Sequence, residues 1–170
     1  PQVQVSLTGD FWMKTTEVTH GEWKKLMGDS PSSFPGCGDN CPIETVSYEE
    51  TTRFLNRLSD KEGYPRCYTG SGPTLQFLGV HCLGYRLPTA SEWEYAARAG
   101  STQSFFNVDL TNTENTCGDD TGLSDLGWYC SNSNSSIQEV ARKTANAFGL
   151  HDMHGNVAEW TESLFNASHY

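Results

Sequence analysis

Six cysteines, five histidines and a run of carboxylates are the residues whose types could do chemistry in this 170-residue chain. Thiolates act as nucleophiles and bind soft metals, whereas oxidised pairs only staple loops together. By position the cysteines form three couples, Cys37/Cys41, Cys67/Cys82 and Cys117/Cys130, each bracketing a loop rich in Gly, Asn or Asp. Fifteen pairings are formally open to six cysteines, and the local one is expected because each bridge would close its own loop. A zinc knuckle is the alternative, but Cys37 and Cys41 lack the two-residue spacing, and no second such pair follows. His151 and His154 stand three apart and invite a zinc or iron reading, while His20, His81 and His169 have no partner at ligand spacing. Six acids and no base fall between positions 101 and 141. A solvated loop is the plain reading of such a stretch and a calcium loop the sharper one, with Asp119, Asp120 and Asp125 as its carboxylates. No nucleophile-elbow motif is present for a Ser/His/Asp triad.

The composition narrows what these residues can serve. A net charge of −10 argues against a nucleic-acid partner, because phosphate backbones are met with clustered Lys and Arg. Charged residues make up 19% and aromatics 12%, a balance that suits a loop-rich, hydrogen-bonded globule of one domain over residues 1–170. Residues 67–85 carry no Asp, Glu, Lys or Arg, yet Pro73, four glycines and several polar side chains make them too polar to span a bilayer. The first residues lack the apolar run of a signal peptide, which leaves export open. Three disulfides would place the chain in an oxidising compartment: periplasmic, cell-surface or secreted. Asn134-Ser135-Ser136 and Asn166-Ala167-Ser168 are N-glycosylation sequons, informative only for a eukaryotic source.

Three helix starts position the candidate residues. Thr19-His20-Gly21-Glu22 is a capping box, flanked by Val18 and Trp23 as a hydrophobic staple, and predicts a helix to Met27 that stops at Gly28. Ser47-Tyr48-Glu49-Glu50 is a second box, followed by Thr51, Phe54, Leu55 and Leu58 on one face. Thr89-Ala90-Ser91-Glu92 is the third, with Trp93, Ala96 and Ala97 after it and Gly100 as the stop. Val3-Gln4-Val5-Ser6-Leu7 alternates and predicts a strand, which Phe11-Trp12-Met13 would join after the Gly9-Asp10 turn. Residues 101–145 show neither period, so the expectation is an α+β chain with much of its length in loops.

Several segments then resemble one family in order and spacing. Thr16-Glu17-Val18-Thr19 opens the first helix and Pro42-Ile43-Glu44-Thr45-Val46-Ser47-Tyr48 the second. Tyr85-Arg86-Leu87-Pro88-Thr89 precedes Glu92-Trp93-Glu94-Tyr95-Ala96-Ala97-Arg98, and Asn146-Ala147-Phe148-Gly149-Leu150 leads to Gly155-Asn156-Val157-Ala158-Glu159-Trp160. The set resembles the formylglycine-generating enzyme, or sulfatase-modifying factor, family. The resemblance implies a C-type-lectin-like fold of the formylglycine-generating type, with low regular secondary structure, here disulfide-stapled. It also implies a calcium site in which Asp152 and Glu159 give carboxylates and Gly155 and Val157 give backbone carbonyls, Asp152 standing where some relatives have Asn. A second family calcium site would fall between Trp128-Tyr129 and Val140, with Asn132 as the candidate ligand. Within that turn His151 and His154 are expected to be packing or surface residues.

Active members of the family oxidise a sulfatase cysteine with oxygen and a copper ion held by two cysteines, which lie between an Arg-Gly-Gly-Ser-Trp strand and a Gly-Phe-Arg strand. Neither segment occurs up to Tyr170, and copper is not expected on cysteines better explained as bridges. The reading is therefore a non-catalytic, calcium-stabilised, extracytoplasmic binding or assembly module. A protein partner or neighbouring copy is expected to cover its open C-terminal edge. The alternative is a fragment of a copper-dependent formylglycine-generating oxidoreductase whose catalytic segment lies elsewhere.

Overall fold

The computed structural model describes residues 5–110 and 117–163. In chain order they form α1 (His20–Met27), α2 (Tyr48–Glu62), β1 (Tyr68–Thr69), β2 (Gln76–Phe77) and α3 (Ala90–Arg98). Short 3₁₀ turns lie at Gly72–Thr74 and Leu123–Asp125. All three expected capping boxes are present. Thr19 and Ser47 each accept from the backbone three residues on, and Glu22 and Glu50 reach back to the cap N–H groups. Thr89 and Glu92 do the same for α3, at 3.2 and 2.7 Å. The first two helices stop at Gly28 and Gly63, both left-handed, which satisfies the last carbonyls without a Cβ penalty.

The chain divides into two compact units. The first comprises residues 1–12, 46–94 and 159–170. Its core gathers Phe54 and Leu55 of α2 with Cys67 and Tyr68. α2 turns Thr52 and Ser59 fully inward as well, where the sequence pointed to Thr51 and Leu58. The cause is a close approach: a Cβ on Gly84 would lie 1.9 Å from the Pro65 carbonyl and 2.8 Å from Ser59 Oγ. Only a small side chain fits there, and Ser59 Oγ bonds both Leu55 O and Tyr85 N–H. β1 and β2 pair antiparallel, Tyr68 opposite Phe77 and Thr69 opposite Gln76, inside the uncharged stretch where no strand was expected. The Cys67–Cys82 bridge closes that hairpin's base, with Cα atoms 5.6 Å apart.

The expected N-terminal strand is not found among the described residues. Val5, Leu7 and Trp12 are exposed, so their alternation has no buried face to select a register. Val3 and Gln4 lie outside the described residues, as do residues 164–170 with His169, the second sequon and the expected open edge.

The second unit comprises residues 13–45 and 95–158. α1 is tied to the loop after Cys37–Cys41: Cys41 O accepts from His20 N–H at 2.8 Å, and Val18 O accepts from Ile43 N–H at 2.8 Å. The end of α3 is held by a side chain. Asn146 Nδ2 donates to Ala96 O at 2.7 Å and to Ala97 O at 3.2 Å, while its Oδ1 accepts from Phe148 and Leu150 N–H at 3.0 and 3.1 Å. One buried amide thus satisfies four backbone groups. The third bridge, Cys117–Cys130, completes the local pairing. Among the described residues no helix is long and apolar enough to cross a membrane.

Asn146→Ala orphans two carbonyls and two amides at once, and should lower the unfolding free energy by about 3 kcal/mol. Urea unfolding followed by tryptophan fluorescence measures this, and a loss within error of zero would show that Asn146 does not hold the helix end.

Candidate functional site

The turn from His151 to Ala158 carries most of the residues that could hold a cation. Two glycines let its backbone run directly against another segment of the second unit. A Cβ on Gly155, whose φ is +138°, would sit 2.0 Å from Trp128 O, and one on Gly127 would sit 2.0 Å from His154 O. Asn156 locks the same crossing: its N–H donates to Trp128 O, and its side chain exchanges hydrogen bonds with the Gln138 backbone at 2.9 and 3.1 Å.

Asp152 lies in this turn at 2% exposure and φ +61°. Its Oδ2 accepts from Ala141 N–H at 2.7 Å, whereas its Oδ1 is buried with no hydrogen-bond partner. Burial pushes the Asp152 carboxyl above the usual aspartate range, only partly offset by the Ala141 N–H and by His151. A buried carboxylate oxygen with no donor is a mismatch that a hard cation would relieve. Gly155 and Val157 follow on the same turn and can present backbone carbonyls to an ion at Asp152.

Glu159 belongs to the first unit, where its Oε2 accepts the Trp93 indole N–H at 2.7 Å. Asn132 Oδ1 already accepts from Tyr129 N–H, and its Nδ2 donates to Gly127 O. One lone pair therefore remains on the Asn132 oxygen.

The other candidates have structural duties. Asp120 Oδ1 caps the 3₁₀ turn through Gly122 and Leu123 N–H at 3.0 and 2.9 Å. Asp119 accepts from Ser131 Oγ, and Asp125 is exposed. His151 Nδ1 bonds Lys143 O at 2.9 Å. His154 is held edge-on by Phe105, and burial lowers its pKa, so its neutral ring can accept from Phe106 N–H. His20 is buried and His81 exposed. No three His, Cys, Asp or Glu side chains converge on a metal position among the described residues. All six cysteines are bridged as Cys37–Cys41, Cys67–Cys82 and Cys117–Cys130, and none is free.

The first unit holds a polar cluster that the motifs did not reveal. Arg86 grips Glu92 through two bonds of 2.8 and 2.7 Å, at 13% and 10% side-chain exposure. Glu162 accepts from both the Tyr68 and Tyr48 hydroxyls, and Leu87 N–H donates to Tyr68 Oη at 2.9 Å. Burial, reinforced by Glu162, pushes the Tyr48 phenol up to about 12 and raises Tyr68 as well. Arg86 beside Glu92 holds that carboxyl below the usual glutamate range. A lone Arg six residues before a capping Glu was the available signal; no pattern in the sequence joins Tyr48 or Tyr68 to Glu162.

The family model for the sulfatase-modifying factor enzyme 1-like domain matches residues 1–170. The chain is 31% identical to chaperone protein LppX of Paenibacillus barcinonensis, over 89% of its own length and 61% of that protein. It is 33% identical to the formylglycine-generating enzyme of Mycobacterium tuberculosis, over 66% of its own length and 38% of the enzyme. It thus spans less than two thirds of these curated relatives. Among solved structures, Treponema denticola variable protein 1 superposes with a TM-score of 0.71 at 34% identity, over 85% of this chain and 59% of that one. CarF superposes with a TM-score of 0.67 at 21% identity, over 90% and 69%, which shows a shared fold.

The two carboxylates predict opposite acid behaviour. Glu92 has a depressed folded pKa, so its contribution is complete above the unfolded value near about 4.3 and is lost as pH falls through the folded value. Glu92→Gln should therefore cost about 3 kcal/mol at pH 7, where Arg86 is left unpaired, and should flatten the stability loss between about pH 4.5 and 2. Chemical denaturation across that range reads it. An acid limb as steep in the variant as in the wild type contradicts the assignment.

Proposed function

The chain belongs to the sulfatase-modifying factor enzyme 1-like domain family, and we propose that these residues act as a non-catalytic binding or assembly module. The observation that carries the reading is the state of the cysteines. Copper chemistry of the formylglycine-generating type uses two thiolates, and every cysteine of this chain is committed to a disulfide. The relatives support it: one is named a chaperone and another a variable protein, and neither name describes an oxidase. Work outside the cytoplasm accords with three disulfides, which persist in the periplasm, at the cell surface or in secretion. A protein partner or neighbouring copy accords with the apolar side chains left in solvent around the Cys67–Cys82 hairpin, Leu78 at 56% and Leu83 at 80% exposure.

Calcium is part of the same proposal. Asp152 would be its central ligand, joined by the carbonyls of Gly155 and Val157, with Asn132 serving a second ion. When bound, the ion neutralises the buried carboxylate and ties the turn together. The competing reading, a portion of a copper-dependent formylglycine-generating oxidase, draws on the 33% identity to the mycobacterial enzyme.

Thiol titration of the unreduced, denatured full-length protein separates the two. The module predicts no reactive thiol and no stoichiometric copper(I) binding, whereas one or two accessible thiols with tight copper(I) uptake would overturn it. For calcium, a chelator should lower the midpoint of thermal unfolding. Asp152→Asn should abolish that sensitivity while leaving the metal-free protein as stable or more so, because the buried carboxylate costs stability above its raised pKa and the amide does not. An unchanged midpoint on chelation removes calcium from the account.

A further inference from the structure

A groove in the first unit is used by none of the groups considered so far. It encloses about 260 Å³ between one face of α2 and the β1–β2 hairpin. Glu49, Arg53, Asn56 and Arg57 supply the helical side at one-turn spacing, and Arg66 with the turn at Gly70 supplies the other. Three of the six arginines in the chain therefore face one cavity beside a single carboxylate, on a molecule whose net charge is −10.

The walls are held independently of any ligand. Asn56 Nδ2 donates to Tyr68 O at 2.8 Å and its Oδ1 accepts from Tyr68 N–H at 3.2 Å, pinning β1 to α2. Glu49 Oε1 accepts from Gly72 N–H at 3.2 Å, which turns part of its charge away to the hairpin. Gly70 has a φ of +76°, and a Cβ there would lie 2.1 Å from Thr74 O, so the turn closes only with glycine. Arg66 is oriented by two-point contact with Asp60, which does not line the groove. Arg53 is exposed, and its charge also acts on Glu50, three residues before it on the helix. The result is a preorganised cavity lined by three guanidiniums and one carboxylate.

We propose that this groove binds the phosphate of a phosphate monoester. A guanidinium fork matches two oxygens of a tetrahedral oxyanion, and two or more of them match its dianionic charge. The volume exceeds what a bare ion fills, and Leu75 gives the organic part an apolar wall. The site depends neither on calcium nor on a partner, so it stands or falls apart from the module reading.

The test is calorimetric titration of the full chain, in the presence of a calcium chelator, with phenyl phosphate and phenyl sulfate. Phenyl phosphate should bind saturably and more tightly than the singly charged sulfate at pH 7.5. It should weaken at pH 5, where the phosphate takes up its second proton, and with added salt. Arg53→Ala, at an exposed position, should bind about tenfold more weakly with its thermal midpoint unchanged. No saturable binding at millimolar ligand, a preference for the sulfate, or equal affinity in Arg53→Ala and the double variant Arg53→Ala/Arg66→Ala would each overturn the proposal.

Discussion

Every buried backbone N–H and C=O must find a partner, and this chain has three helices and two strands of two residues with which to supply them among its described residues. The rest of its described length depends on side chains acting as backbone substitutes. Asn146 serves four peptide groups at the end of α3, and Asn56 plays the part of a neighbouring strand for Tyr68. Asn156, Asp120 and Ser59 do the same at other crossings. A fold of this kind is sensitive to particular polar residues in the way a helical bundle is sensitive to its apolar ones. The abundance of short polar side chains in the composition is the visible consequence.

Glycine meets the same constraint from the other side. At Gly127, Gly155 and Gly84 two peptide segments pass so closely that any Cβ would overlap a carbonyl oxygen. Such approaches let loops hydrogen-bond to loops without a sheet between them. They also tie the turn after Asp152 to the Gly127–Trp128 segment, where Asn156 N–H donates to Trp128 O.

Carboxylates in this chain divide by what they meet. Glu92 meets a guanidinium fork and two backbone or hydroxyl donors near α3 and is depressed in pKa. Asp152 meets one amide and is raised. The first is a structural ion pair already complete in itself; the second keeps one buried oxygen without a hydrogen-bond partner. That contrast, rather than the local density of acids, singles out Asp152. The acid-rich stretch that first drew notice spends Asp120 on capping and Asp119 on Ser131.

The amino-acid sequence by itself determined the helix starts, the local pairing of the cysteines and the family. Each depends on residues close together in the chain: a capping box spans four positions, a local disulfide at most sixteen, and the motifs are contiguous. Tertiary structure alone decided that Thr52 and Ser59 turn fully inward beside Phe54 and Leu55, since Gly84 and Ser59 are 25 positions apart. It alone placed β1 against β2 in a stretch without alternation, and denied a strand to Val5 and Leu7, which alternate but find nothing to cover. The groups that now carry functional weight are of this second kind. An open oxygen on Asp152 or three guanidiniums around one groove depend on how the chain folds back on itself, and a linear pattern holds no record of those contacts.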